Sequence, residues 1–157
     1  MNVMKQSLFA IVFTFALFQG AIAQTDQEIT SIDEASRNIR NNLTNLQKIE
    51  KPKNSEGSTS VYVGDNEIKL IVVSENDAEM IKTVEWYFSK GELIYSEQKW
   101  IDAKTGKIFD FEKFYLVKGH LINWQKSDSP VNAKSTEFED METQLIMYAT
   151  KLKKENG

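Results

Sequence analysis

One ten-residue pattern recurs along the chain in looser form. WYFSKGELIY, at residues 86–95, returns as FYLVKGHLIN at residues 114–123. In each copy a Lys-Gly pair separates two runs of aromatic and β-branched residues, and the glycine can take the positive φ that a tight hairpin turn requires. An earlier pair of runs, TSVYV and EIKLIVV, is joined by Gly64-Asp65-Asn66. The pattern therefore predicts three β-hairpins, or about six strands.

The connections between these hairpins are short. Thr105-Gly106 is predicted to turn the chain between the second and third hairpins, and residues 74–77 between the first and second. Consecutive hairpins with short connections form an antiparallel meander. Three hairpins cannot cover their own faces, so other parts of the chain must pack against the sheet.

Amphipathic helices are predicted on either side of the hairpins. From Thr25 to Ile49 apolar residues recur at helical spacing, and Pro52 ends the run. A second stripe, which we expect to face the core, follows Thr136 and comprises Phe138, Met141, Leu145, Tyr148 and Leu152. The predicted fold is α+β, with an antiparallel meander of about six strands packed against an N-terminal and a C-terminal helix.

The first 23 residues are predicted to be a signal peptide. Lys5 supplies a positive n-region, Leu8–Phe18 is apolar and uncharged, and Ala21-Ile22-Ala23 places small residues before Gln24. The alternative, a membrane anchor, would need a longer run, because spanning a bilayer takes about 20 apolar residues. We expect cleavage after Ala23, a periplasmic or secreted protein, and a single α+β domain at residues 24–157 without a transmembrane segment.

The composition argues against several classes of site. The chain has no cysteine and one histidine, and its formal net charge is -4. Disulfides and thiolate zinc sites are therefore excluded, and the acidic balance is not typical of a nucleic-acid-binding protein. His120 directly follows a predicted turn glycine, where we expect an exposed surface role. We predict no metal, no cofactor and no nucleic-acid partner.

Carboxylates are numerous, but their positions have simple explanations. Asp110 and Glu112 alternate with phenylalanines along a predicted strand, and residues 137–142 lie in the first turns of a predicted helix. Negative charge is favourable there because of the helix dipole. A glycosidase-like site would need two carboxyl groups about 5 to 10 Å apart across a cleft. We therefore predict that the protein is not an enzyme.

The two Lys-Gly turns also predict which residues share a face of the sheet. Regular pairing from each turn places Phe88 opposite Leu93 and Trp86 opposite Tyr95. Neighbouring pairs point to opposite faces. One face then collects Trp86, Phe88 and Tyr95, and the opposite face collects a second set of aromatic residues. Large exposed apolar patches of this kind mark binding sites. The predicted binding residues on this face are Tyr87, Trp100, Phe111, Tyr115 and Trp124.

Two alternatives to the aromatic surface remain. The sheet can be strongly curved, or one helix can cover each face, so that both aromatic sets belong to the core. A register slip of one residue would also exchange the two faces. Exposure of Trp100 and Trp124 distinguishes an open binding surface from a covered one.

The chain resembles a group of uncharacterised secreted proteins of Bacteroidota. The resemblance covers most of the chain after the signal peptide, including YFSKGELI at residues 87–94 and LINW at residues 121–124. The hairpin motif is also similar to the YY-x-NG-x-L units of MORN-variant repeats, with Lys-Gly in place of the usual Asn-Gly. The resemblance implies a small periplasmic or outer-surface module and assigns no functional residue.

These observations favour a non-catalytic, exported binding module of the cell envelope that uses an aromatic sheet face. Its partner would be a protein, a peptide or a glycan. The alternatives are a periplasmic inhibitor or chaperone-like partner protein and, less favoured, a hydrolase with paired carboxylates.

Overall fold

The structure is a computed structural model and describes residues 25–51 and 57–156. Helix α1 occupies residues 25–41, a 3-10 turn follows at Leu43–Asn45, and helix α2 occupies Thr136–Asn156. Between them lie the strands β1 (Gln47–Lys51), β2 (Gly57–Gly64), β3 (Glu67–Asn76), β4 (Met80–Ser89), β5 (Glu92–Asp102), β6 (Ile108–Val117), β7 (His120–Lys126) and β8 (Ser129–Pro130). The predicted signal peptide lies outside the described residues.

The eight strands form one antiparallel sheet in which β1 to β8 follow each other in chain order. This confirms the predicted α+β class and the antiparallel sheet, with one helix before the strands and one helix after them in the sequence. The number of strands is eight rather than about six. The two additional strands are β1, which was predicted to be helical, and the two-residue β8, which was predicted to be a polar linker.

Helix α1 ends earlier than the predicted Ile49 because of its asparagines. The side-chain amide of Asn42 donates to the backbone oxygen of Asn38 at 2.8 Å, and that of Asn45 donates to Asn42 at 3.4 Å. Asparagine competes in this way with the helical backbone and favours helix ends. Beyond this point the chain is extended, and Ile49 pairs with Val61 of β2.

The three predicted hairpins are present and share one plan. Each has a two-residue turn in which both residues have positive φ: Asp65 and Asn66 (54° and 58°), Lys90 and Gly91 (51° and 75°), and Lys118 and Gly119 (51° and 78°). This is the type I′ geometry that matches the twist of antiparallel strands. The recurring sequence pattern thus corresponds to a recurring backbone unit.

Each hairpin also contains a β-bulge at the same distance from its turn. Phe88 pairs with Leu93 as predicted, but Tyr87 then pairs with Tyr95, leaving Ile94 as the extra residue. The other two hairpins skip Lys69 and Ile122 in the same way. Because the prediction assumed regular pairing, it was wrong beyond each bulge, and Trp86 lies opposite Ser96 instead of Tyr95.

The two helices cover opposite faces of the sheet. On the α2 face, Phe138, Leu145 and Ala149 of the helix pack against a cluster that includes the fully buried Phe88 and Phe114. On the α1 face, Ile32 packs against three tyrosines and Leu70. Full burial of one large apolar side chain stabilises a fold by about 1.5–3 kcal/mol. Both faces therefore contribute to the core.

Helix α2 begins with a side-chain cap. The backbone N–H of Phe138 donates to Ser135 Oγ at 3.2 Å, and Glu137 and Glu139 lie in the first turn. Both features stabilise a helix N-terminus. Within the described residues neither helix has the length and apolar character that crossing a membrane would require.

Candidate binding site

The structure does not bring the five predicted binding residues together. Tyr87 and Tyr115 are buried beneath α1, and Phe111 lies on that same face beside Lys113. Trp124 is buried on the α2 face at 1% exposure, and Trp100 is partly exposed on that face. The prediction of one shared aromatic face was therefore wrong, because the bulges change the register and each face has its own helix.

The α1 face carries a row of tyrosines rather than an open surface. The ring centroids of Tyr87 and Tyr95 are 5.4 Å apart, and those of Tyr95 and Tyr115 are 5.1 Å apart. All three side chains are buried, with exposures of 0%, 5% and 4% in chain order. Burial is the main cause that raises the pKa of each phenol above its ordinary value. The tyrosines consequently serve as a packing surface for α1.

A charged network at the edge of this row connects α1 to the sheet. Arg40 Nη2 lies 2.6 Å from Glu85 Oε2 and 3.0 Å from Glu97 Oε2, and Arg40 Nε donates to the Tyr87 hydroxyl at 2.9 Å. Tyr87 in turn donates to Glu85. Lys99 Nζ approaches Glu97 Oε2 at 2.7 Å. One arginine thus joins three strand residues that are distant in sequence.

Neighbouring cations hold Glu97 of the Glu85–Glu97 pair in its ionised form. The two residues lie directly opposite each other on β4 and β5. Burial acts to raise the pKa of Glu97, but the hydrogen bonds and charges of Lys99 and Arg40 outweigh it and lower that pKa. Near neutral pH, Glu97 is therefore ionised and bound by Lys99 and Arg40, and it cannot supply a proton. This arrangement fits a structural role in docking α1.

A long depression, which we call the α2 trough, lies between α2 and the exposed part of the α2 face. Its volume is about 500 Å³. The sheet forms its floor and α2 forms one wall. The floor residues include Val73, Lys82, Val84, Trp86, Gln98, Trp100 and Glu112, and the wall residues include Met141, Gln144, Tyr148, Lys151 and Glu155.

Aromatic side chains lie on both surfaces of the trough. Trp100 projects from β5, with the Lys82 ammonium 5.5 Å from its ring centroid, a cation–π contact that orients the indole. Tyr148 projects from α2 and is 50% exposed. Tyr148 was predicted to be a core residue, but it lies at the border of the apolar stripe, where Leu145 and Ala149 take the buried positions.

The trough crosses the strands instead of following them. Its floor extends from Val73 on β3 to Glu112 on β6, and three strand spacings of about 4.8 Å give a length of roughly 14 Å. A second hollow of about 620 Å³ shares Val73, Glu75 and Lys82 with the trough and continues it to Thr59 on β2. The depression is thus elongated and open.

Polar groups of both signs surround these aromatic residues. Lys82 and Lys151 are accompanied by Glu75, Glu112 and Glu155. Burial is the largest cause that raises the pKa of Glu112 above its usual value. The amides of Gln98 and Gln144 add neutral donors and acceptors. Sequence reasoning selected Trp100 alone among the trough residues as a binding residue, because the floor depends on the bulged strand register and the wall depends on how α2 packs on the sheet.

His120 and Glu142 lie side by side outside the trough. The His120 side chain is 76% exposed, and its Nδ1 lies 3.5 Å from Glu142 Oε1. The other oxygen of Glu142 accepts the backbone N–H of Leu121 at 2.6 Å, so this carboxylate covers a sheet edge. Among residues 25–51 and 57–156 no three His, Asp or Glu side chains are grouped so that they could hold a metal ion.

No protein-family model, no curated protein and no solved structure matches the chain.

Proposed function

We propose that this protein is an exported, non-catalytic binding module of the cell envelope and that its ligand lies in the α2 trough. The observation that carries the proposal is the pair Trp100 and Tyr148, which stand on the floor and the wall of one elongated depression. Tyrosine and tryptophan provide large contact areas at low entropic cost. Ligand sites are typically concave, with apolar surfaces and a few polar groups.

The shape of the trough favours an extended ligand over a compact one. It is open along its length and spans at least four strands. The rigid sheet fixes the floor, since every strand from β3 to β5 has a hydrogen-bonded neighbour on both sides. A ligand that follows the trough would contact α2 and the sheet at once.

Capture from a cell-envelope extract tests this function. The immobilised protein should retain envelope material, and the Trp100→Ala/Tyr148→Ala double variant should retain several-fold less. The matched controls are Phe109→Ala and Met147→Ala, which truncate side chains that are 62% and 59% exposed and do not line the trough. Equal capture by the double variant and by the controls would rule out the trough as the site.

A hydrolase with paired carboxylates is the second candidate. It is favoured by one observation, the raised pKa of Glu112 in a trough that also contains Glu75 and Glu155. A carboxyl group with a raised pKa can act as a general acid. Release of new reducing ends from envelope polysaccharide by the wild-type protein, lost in Glu112→Gln, would support the hydrolase over the binding module.

A further inference from the structure

We propose that the ligand of the α2 trough is a neutral oligosaccharide segment of an envelope polysaccharide. This inference rests on the proposed function and assigns a chemical class to the same site. Three features of the trough support a neutral sugar: the backbone of the floor is already paired, the charges of the lining nearly balance, and the lining combines aromatic rings with amides.

The backbone N–H and C=O groups of the trough floor are already paired with neighbouring strands, so they cannot bind a peptide. Val84 pairs with Val73 on one side and with Gln98 on the other, and Gln98 also pairs with Glu112. Extended peptides are commonly bound by adding a strand to a free sheet edge. Because the trough crosses paired strands, it can recognise a ligand only through side chains. An extended peptide would therefore find no β-strand partner here, and its regularly spaced amides would depend on side chains alone for hydrogen bonds.

The charges of the lining favour a ligand without net charge. Lys82 and Lys151 face the acidic residues Glu75, Glu112 and Glu155. A strongly anionic or cationic chain would meet like charges along the trough, which costs binding energy. Sugar hydroxyl groups can donate to carboxylates and accept from ammonium groups, so a neutral glycan can use both kinds of side chain.

The aromatic residues and the amides provide the remaining features of a sugar site. Trp100 and Tyr148 offer flat apolar surfaces on which the C–H faces of a pyranose ring can pack. Gln98 and Gln144 offer amide groups that both donate and accept hydrogen bonds. Apolar contact on the ring face combined with hydrogen bonding at the ring edge is the chemistry that a neutral sugar requires.

Chemical treatment of the extract tests the ligand class separately from the site. One portion of envelope extract is oxidised with periodate, which opens sugar rings that carry vicinal diols. A second portion is digested with protease, and a third is left untreated. Each is applied to the wild-type protein, to the Trp100→Ala/Tyr148→Ala variant and to the two control variants. Retained neutral sugar and retained peptide are both quantified.

The outcomes separate this inference from the proposed function. If the ligand is a glycan whose sugars carry vicinal diols, trough-dependent capture should fall by about tenfold or more after periodate and persist after protease. Loss of capture after protease, with or without loss after periodate, would overturn the glycan inference but leave the binding function intact. No difference between the double variant and the controls in untreated extract would overturn both.

Folding controls keep the test decisive. Each variant is compared with the wild type by thermal unfolding. If the double variant is not folded, Tyr148→Ala alone replaces it, because this position is half-exposed on the surface of α2 and its truncation cannot open the core. A fall in sugar capture of several-fold for Tyr148→Ala, but not for Met147→Ala, would still support the inference, and equal capture would overturn it.

Discussion

At the scale of single residues, a polar group without a partner lies in the centre of the sheet. Ser96 is 0% exposed, and its hydroxyl has no hydrogen-bond partner among the described residues. Its neighbours across the strands are Trp86 and Phe114. The burial of a hydroxyl group without a hydrogen bond costs free energy that a methyl group would not.

We therefore predict that Ser96→Ala raises the free energy of unfolding by about 1 kcal/mol, because it removes the buried hydroxyl and keeps most of the side-chain volume. Urea denaturation measures the effect. Ser89→Ala, at a partly exposed position of β4, serves as the control and should change stability by less than about 0.5 kcal/mol. A destabilised Ser96→Ala variant would mean that this hydroxyl has a partner.

Arg40 gives a second prediction at this scale, and its sign depends on pH. Removal of Arg40 leaves Glu97, whose side chain is 9% exposed, with Lys99 as its ion-pair partner in the described structure. At about pH 7 we expect Arg40→Ala to lower the free energy of unfolding by about 1–3 kcal/mol. Arg37→Ala on the same helix is the control, since Arg37 forms no ion pair with a described residue.

Folding lowers the pKa of Glu97. Its ionised form therefore stabilises the fold fully when the pH is above the pKa of Glu97 in the unfolded chain. This stabilisation is lost as the pH falls through the lower pKa of Glu97 in the folded protein. The cost of Arg40→Ala should consequently shrink as the pH is lowered below about 4.5, the ordinary pKa of a glutamate side chain. Denaturation curves at several pH values measure this trend. A cost that does not change between neutral and acidic pH would contradict an electrostatic role for Arg40.

At the scale of the elements, the hairpin turns contain lysines in a backbone conformation that suits them poorly. Lys90 and Lys118 both have a φ of 51°. A residue with a Cβ pays about 1–2 kcal/mol for the left-handed region, whereas asparagine tolerates it better because its side chain can hydrogen-bond locally. The turns are therefore stable in spite of these lysines and depend on the glycines that follow.

We predict that Lys90→Asn and Lys118→Asn each raise the free energy of unfolding by about 0.5 kcal/mol. The gains should add, because the two turns belong to different hairpins. Lys104→Asn, on an exposed turn residue without positive φ, is the control. Equal changes in all three variants in urea denaturation would show that charge, and not turn geometry, is responsible.

The elements also show how far the sequence could predict this fold. The hairpins were recognised because a type I′ turn needs particular residues at particular positions, and Lys90-Gly91 and Lys118-Gly119 satisfy that local requirement. The bulges at Ile94 and Ile122 have no such signature, since an isoleucine suits a regular strand as well as a bulged one. One unpaired residue then moved Tyr95 and Trp124 to the opposite face.

The candidate site was less predictable than the fold for a related reason. Trp100 was selected from the sequence, but its partner Tyr148 is distant along the chain and lies on α2. Their proximity depends on the direction in which α2 crosses the sheet, which the spacing of apolar residues does not specify. Helical periodicity predicts which side of α2 is buried, and the border of that side is set by packing.

At the scale of the whole molecule, the three tryptophans report separately on the core and on the trough. Trp86 and Trp124 are 6% and 1% exposed, while Trp100 is partly open to solvent. We predict that iodide quenches a fraction of the fluorescence and that Trp100→Phe removes most of this fraction, because iodide reaches only exposed indoles. Quenching that is unchanged in Trp100→Phe would place the accessible indole elsewhere.

The proposed export gives a prediction about the chain as it is found in the cell. We expect protein recovered from the cell envelope or the medium to begin at Gln24, because Ala21 and Ala23 fit the small-residue positions of a signal-peptidase site. Intact-mass measurement and N-terminal sequencing test this outcome. Full-length protein that remains in the cytoplasm would contradict it.

The strictly sequential strand order has a consequence for the kinetics of folding. Every strand from β1 to β8 pairs with its immediate neighbour in the chain, so the sheet can zip up progressively through local contacts, which favour rapid folding. The helices depend on distant strands instead: α2 packs on residues of β2 to β7, and the tyrosines against which α1 packs come from β4, β5 and β6. Although α1 is synthesised before the strands, it cannot dock until β6 has emerged. The native state is therefore completed only late in synthesis or translocation.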